Sequence, residues 1–215
     1  MNTKIHQIYT LQSGEIVPSV TTVIGLLNKP QLIEWAWKQG INGQDIHKIK
    51  DRTADAGSLA HQMILDFLKL QRTDTSEYSK DIIDLAENSF LSFLEWQKNK
   101  TIEPILIEAS LVSERYKYGG TLDFYGKIDG ILTLVDWKTG SGIYDSYVYQ
   151  LSAYRNLLIE NGFENPERVM IVRINREENE RFEELVKRNT DTEFEIFKRL
   201  AEIYHLQKQI EGGVK

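Results

Sequence analysis

Apolar residues recur at three- and four-residue intervals over much of the first half of the chain, the mark of helices with one buried face. In PQLIEWAWKQG, Leu32, Trp35 and Ala36 share a face, Glu34 and Lys38 form an outward pair, and Gly40 supplies a stop. A second helix is predicted over residues 54–70, where Leu59, Met63, Phe67 and Leu70 keep the helical period. A third is predicted over 79–98, with Ile82, Ile83, Leu85, Ala86, Phe90, Phe93 and Leu94 on a broad stripe. Between these two lies the polar connector QRTDTSEY, in which Asp74 or Ser76 is placed to cap the helix that follows.

The period then shortens. Residues 105–112, 117–124, 126–129 and 133–138 read as short strands, with Tyr118-Gly119-Gly120 and Asp129-Gly130 as turn signals. A helix follows over 146–160, carrying Tyr147, Leu151, Tyr154 and Leu158 on one side and stopped by Asn161-Gly162. RVMIVRI is a β-prone run, REENERF a turn or exposed edge, and residues 190–209 a final helix. Before all of these, residues 7–11 read as extended and lead into a Ser-Gly-Glu turn. The order (helices, strands, helix, strand, helix) predicts an α/β domain with a central mixed sheet flanked by helices, since both element types must cover an apolar face.

Composition narrows the chemistry. The 215 residues hold no cysteine, which removes disulfides, thiolate catalysis and thiolate metal sites. No stretch reaches membrane-spanning length and the N-terminus has no signal-peptide core, so a soluble cytoplasmic protein without membrane association is expected. A formal net charge of -6 lacks the global basic signature of a nucleic-acid coat, yet it is compatible with a local cationic groove beside clustered carboxylates. No linker or repeat divides the chain, so a single domain over 1–215 is expected, with a helical N-terminal region at about 17–100 and a catalytic core at about 101–175.

The candidate chemistry sits in GGTLDFYGKIDGILTLVDWKTG. Asp136 and Lys138 are two apart on a predicted strand and project from one face, with Leu134, while Val135 and Trp137 point to the other. Alone, the triplet equally describes a solvated edge strand with a cross-strand charge pair. Asp123 adds to it: if its strand neighbours that of Asp136, two carboxylates converge where Lys138 remains in reach. Two adjacent carboxylates repel unless protonated or neutralised, and a divalent ion bound through oxygen, Mg2+ or Mn2+, supplies that neutralisation. Asp129, before Gly130, reads instead as a turn residue.

LDF, LVDWKTG and YQLSAY together resemble the core signature of the PD-(D/E)XK nuclease superfamily, in particular its RecB-like branch, which includes phage and bacterial exonucleases and the mitochondrial genome maintenance exonuclease. The name-giving Pro-Asp is replaced here by Leu122-Asp123. The resemblance implies a restriction-endonuclease-like core, with Asp123 and Asp136 as metal-binding acids and Lys138 as the motif lysine. DAGSLAH is similar to the branch's early motif and implies His61 as a further metal ligand; read alone, it is equally a packed helical histidine. YQLSAY implies Gln150 as a residue supporting the site or the substrate, with Tyr154 bracing its helix or touching substrate. Glu108 is implied as another site acid, though LIEASLV also reads as an exposed strand.

PSVTTVIGLLNKPQLIEWAW resembles a region of phage members, in which Ser19, Thr21 and Thr22 either meet phosphate or cap local structure. Lys127, Arg115 and Lys117 are candidate phosphate contacts around the strand block, and Trp35, Trp37, Tyr144 and Tyr149 candidate stacking surfaces. The expected activity is metal-dependent hydrolysis of phosphodiesters by an exonuclease on DNA, single-stranded or with free ends. The setting is replication, recombination or repair in a bacterial cell or phage-infected host, with or without a partner from those pathways. A structure-specific endonuclease and a catalytically silent nucleic-acid-binding or assembly protein are the alternatives.

Overall fold

The computed structural model describes residues 7–176 and 182–213. A short hairpin opens the fold, β1 (Tyr9–Thr10) and β2 (Ile16–Val17), turning through Gly14 at φ +85°. Four helices follow: α1 (Val20–Ile24), α2 (Pro30–Ile41), α3 (Ile46–Leu68) and α4 (Lys80–Gln97). A five-stranded sheet is then built in sequence order from β3 (Ile102–Ser113), β4 (Tyr118–Ile128), β5 (Ile131–Lys138), β6 (Arg168–Arg173) and β7 (Glu183–Lys187). The pair β5–β6 is parallel and the others are antiparallel; α5 (Asp145–Glu160) makes the crossover that the parallel pair requires. Helix α6 (Asp191–Gly213) closes the fold.

The sheet is covered on both faces. Leu122, Leu134, Val169 and Ile171 pack against α1, α5 and α6 through Val23, Leu151, Leu157 and Phe197. On the opposite face, Phe124, Val135, Trp137 and Met170 meet Ile64 of α3 and Phe93 and Trp96 of α4. Leu134 and Val135 therefore point to opposite sides, as strand alternation dictates. Leu122 and Phe124, two apart on β4, nevertheless fall on different faces, so the alternation breaks at Asp123. The neighbouring β3 ladder is interrupted there as well, at Glu108, whose φ is +54°. Such irregularities re-aim side chains next to functional sites.

Several elements differ from the sequence expectation. Helix α3 begins eight residues earlier than residue 54: Asp45 caps it, its Oδ1 accepting from the backbone of His47 (3.0 Å) and Lys48 (3.2 Å). This added stretch is largely solvated, so no apolar stripe announces it. Leu70 is not on the buried stripe; it lies beyond α3, 95% exposed, with φ +57°. On α2, Trp35 and Ala36 are half-buried while Leu32 is exposed, and the Glu34–Lys38 pair forms at 2.7 Å.

Gly119-Gly120 is no turn but the interior of β4. A Cβ at Gly119 would sit 2.3 Å from the Tyr9 ring, and one at Gly120 would sit 2.5 Å from the Tyr154 ring. The glycines are there for close approach. The turn falls just before them, at Lys117, which carries φ +53°. The stretches 117–124 and 126–129 merge into one strand, and β7 is an addition. Ser79 is the N-cap residue of α4, whereas Asp74 accepts from the backbone of Ser76 (2.9 Å) within the connector. Most of REENERF lies outside the described residues. Asp129 has the turn role, at φ +54° with Oδ1 accepting from the backbone of Thr101 (2.8 Å).

Candidate active site

The β4–β5 ladder runs from Ile128↔Ile131 to Phe124↔Val135 and stops. The next pair in that register is Asp123 and Asp136. Strand β5 instead continues with β6 as far as Lys138↔Arg173, so β4 and β5 part at the two acids. Asp123 replaces the missing ladder bond: its Oδ2 accepts the backbone N–H of Trp137 at 3.0 Å. A carboxylate thus satisfies a strand amide that the fork leaves without a backbone partner.

Asp136 lies deeper, 2% exposed. The Lys138 ammonium sits 2.6 Å from its Oδ2 as an ion pair. Gln150, buried on α5, ties the pair together. Its Nε2 donates to Asp136 Oδ1 (3.2 Å) and to the Tyr154 hydroxyl (2.9 Å), and its Oε1 accepts from Lys138 Nζ (3.1 Å). Gln150 and Tyr154 are one helical turn apart, which lets both reach the same point. Tyr154 is itself buried, so it braces the amide from behind and offers no surface to a substrate.

Helix α3 closes the other side. A Cβ on Gly57 would meet Thr139 Oγ1 at 2.8 Å, so the missing side chain lets α3 lie against the segment following Lys138. One turn on, His61 Nδ1 stands 3.6 Å from Asp123 Oδ2, too long for a hydrogen bond and within ion-pair range. The resulting cleft, about 610 Å³, is lined by Thr53, Ser58, His61, Glu108, Thr121, Asp123, Lys138, Thr139, Tyr147 and Arg176 among others.

His61, Asp123, Asp136, Lys138 and Gln150 are brought together. Glu108 reaches the cleft wall, but its carboxylate is held by Lys69 at 2.8 Å. Lys127 lies elsewhere, exposed near the β4–β5 turn, where it pairs across to Leu132. Tyr144 stacks edge-on with Tyr147 (5.4 Å between centroids) just outside the cleft lining. Lys117 pairs with Glu15 (2.9 Å) and Arg115 lies over the Tyr116 ring (5.0 Å), neither in the cleft lining. Ser19 caps α1, its Oγ accepting from the backbone of Thr22 (3.0 Å) and bonding the Thr21 and Thr22 hydroxyls. Trp137 is core, while Trp37 is 64% exposed.

Arg176 and Thr139 are cleft residues that sequence reasoning did not single out, and Tyr147, expected on the apolar side of α5, lines the cleft as well. Arg176 follows β6, and only the parallel β5–β6 pairing carries it beside Lys138; its Nη2 is 3.4 Å from Thr139 Oγ1. Its one local signal is a basic residue just past a hydrophobic strand.

Burial pushes the Asp136 carboxyl up to about 6, with Lys138 opposing the rise and Asp123 adding to it. Burial also works against the Lys138 charge, but the two aspartates outweigh it and hold the ammonium above the ordinary lysine value. Burial likewise raises the Tyr147 and Tyr154 phenols, so both stay protonated. Among the described residues, no three His, Asp or Glu side chains already stand as a metal-ligating group, and Asp136 Oδ2 is paired with Lys138. The donor chemistry fits a hard divalent cation all the same. Two carboxylates face one ammonium across the fork, and the His61 imidazole stands beside the more exposed acid.

No protein-family profile and no curated protein sequence matches the chain. Solved structures similar to it include SSO0001, at 20% identity and TM-score 0.33 over 57% of this chain and 55% of that one. The chain therefore spans about half the length of that protein. A Eubacterium rectale protein described as an exonuclease aligns at 14% identity and TM-score 0.47, over 74% of this chain and 69% of that one. LHK-Exo, an alkaline exonuclease of Laribacter hongkongensis solved with dAMP, aligns at 10% identity and TM-score 0.40, over 74% and 86%. On its own topology the chain is an α/β domain whose mixed five-stranded central sheet is flanked by helices and forks at Asp123 and Asp136.

Proposed function

We propose that the chain is a deoxyribonuclease dependent on Mg2+ or Mn2+, forming one nuclease domain and acting as an exonuclease on DNA that is single-stranded or has free ends. The observation that carries the reading is the meeting of Asp123, Asp136 and Lys138 at the fork, with Gln150 bonded to both members of the buried pair. His61, Asp123 and Asp136 would hold the metal. When bound, it supplies Lewis acidity to the phosphoryl oxygens and acidifies a water.

The chain's own residues do the rest. The Lys138 ammonium, charged at neutral pH, stabilises negative charge gathering on the phosphate or orients the attacking water. Gln150 fixes the positions of Lys138 and Asp136 by spending both ends of its amide on them. Thr121, Thr139 and Arg176 line the cleft as donors for neighbouring phosphate oxygens. Ends arising in replication, recombination or repair are the proposed substrates.

A panel of end-labelled single-stranded, duplex, flapped and closed-circular DNA tests the reading. Mononucleotides or short oligonucleotides released from linear DNA, only when Mg2+ or Mn2+ is added, are the expected result. Efficient cutting of closed circles would replace exonuclease by endonuclease. Absence of cleavage of every form with either metal would remove the nuclease reading.

A further inference from the structure

The cleft is not a round pocket beside one residue. Seven residues of α3 line it, from Thr53 through Ala54, Gly57, Ser58, His61 and Gln62 to Leu65. The helix therefore lies lengthwise along it, over about 18 Å at 1.5 Å per residue. A cleft of about 610 Å³ drawn out along one helix suits one extended strand.

The same face of α3 continues past the cleft toward the helix start. At about 100° per residue, Lys50 lies about 40° and His47 about 20° from Ala54, and both are exposed. The charged residues around them fall at different angles. Asp51, about 60° from Ala54 on the other side, shares the arc between Ser58 and Gln62, while Asp55 is about 100° round from Ala54 and Lys48 beyond it. Arg52 points elsewhere and is paired with Asp81 at 2.8 Å. Lys138 stands at the reaction centre beside Asp136, and Arg176 lies next to Thr139, which faces Gly57 of α3. The paired carboxylates thus lie with Lys138 at the reaction centre, the hydroxyls of Thr53, Ser58, Thr121 and Thr139 line the cleft, and Lys50 and His47 lie beyond it toward the start of α3.

From this arrangement we infer that α3 is the floor of a track for a single-stranded polynucleotide, with Lys50 and His47 holding backbone phosphates beyond the reaction centre. The inference rests on the nuclease reading above and names the form in which its substrate is held. From His61 to Lys50 is about 16 Å, the span of about three to five nucleotides, depending on how far the strand is stretched. Each phosphate contact along it is independent of base identity, so binding is not sequence-selective.

The test is equilibrium binding of fluorescent (dT)12, (U)12 and a 12-base-pair duplex to the full chain in EDTA, where cleavage plays no part, across a salt series. Wild type is expected to bind the single strands more tightly than the duplex. Lys50→Gln should weaken (dT)12 binding several-fold and reduce the slope of log affinity against log salt by about 0.7, one phosphate contact's share on a single strand. His47→Ala should weaken it too, while Lys98→Gln, at the far end of α4, should match wild type. The difference between (dT)12 and (U)12 reports whether DNA or RNA is preferred.

Wild-type affinity and slope in Lys50→Gln, with its far-ultraviolet circular dichroism unchanged, would overturn the track. So would tighter binding of the duplex. The two readings fail separately: binding without metal-dependent cleavage removes the nuclease and leaves the track. Cleavage with an unchanged Lys50→Gln slope does the reverse.

Discussion

Asp123 Oδ2 accepts the backbone N–H of Trp137 at 3.0 Å, at the point where β4 and β5 stop pairing. The two residues serve opposite sides of the sheet. Trp137 buries its ring against Phe93, Phe124 and Trp96, while the carboxylate that holds its amide faces the cleft. The bond explains why the fork is stable: the splayed strand keeps its hydrogen bonding, and the acid is held on the strand framework. Asp123→Ala therefore removes a site acid and also leaves a strand amide without its acceptor. We expect it to cost about 1–3 kcal/mol of stability in addition to activity. Asp123→Asn, which keeps an acceptor oxygen, should lose activity with a smaller change in melting midpoint. Equal midpoints for the two variants would contradict this double role.

Gln150 separates positioning from chemistry. Gln150→Ala strands the partners of a buried amide and loosens Lys138 relative to Asp136. A fall of about 10- to 100-fold in kcat or metal affinity is expected, as for other residues that orient a ligand from behind, with little change in KM. A rise in KM alone, measured by steady-state kinetics on linear DNA, would place Gln150 on the substrate instead.

Asp136 gives the pH dependence. Its folded-state carboxyl lies at about 6, above its ordinary value of 3.8. Between those values the folded protein binds a proton that the unfolded chain releases. The group's contribution to stability is thus fully present below about pH 4 and lost as pH rises through about 6. In metal-free protein the carboxyl carbon of Asp136 should titrate near 6 by NMR, and added Mg2+ should move that midpoint down, since metal and proton compete for one carboxylate. A midpoint at or below 4 without metal would contradict the burial argument.

Gly57 sets how closely α3 approaches the segment after β5. Gly57→Ala places a methyl 2.8 Å from Thr139 Oγ1, so the helix or the threonine must move and His61 moves with the helix. Weaker Mn2+ binding by calorimetry is expected. The double variant Gly57→Ala/Thr139→Ala should recover most of it, because the remaining Thr139 Cβ stands at an ordinary 3.9 Å. Failure of the second change to restore binding would show that Gly57 acts some other way.

What the sequence made legible was whatever repeats with a period or sits within one short segment. The alternation in LVDWK puts Val135 and Trp137 in the core and Asp136 and Lys138 opposite, and the i, i+4 spacing of Gln150 and Tyr154 brings both to one hydrogen bond. Close approach left no such trace: Gly119-Gly120 resembles a turn in any local reading, and only Tyr9 and Tyr154, distant in sequence, reveal why side chains are excluded there. The first two turns of α3 were silent because they cover no core, and Arg176 because its place depends on β5 and β6 lying parallel. Lys127 shows the converse. It is near Asp123 in sequence, but four residues along a strand carry it about 13 Å away at 3.2–3.4 Å per residue.

The most direct measurement compares wild type with Asp136→Ala, purified in parallel, on 5′- and 3′-labelled linear single-stranded DNA with Mg2+, with Mn2+ and with EDTA. The proposed site requires metal-dependent release of nucleotides by wild type, and a rate at least about 10³-fold lower in Asp136→Ala, the scale of losing a principal electrostatic group. Equal rates in the two proteins, or cleavage that persists in EDTA, would contradict the assignment of the fork as the active site.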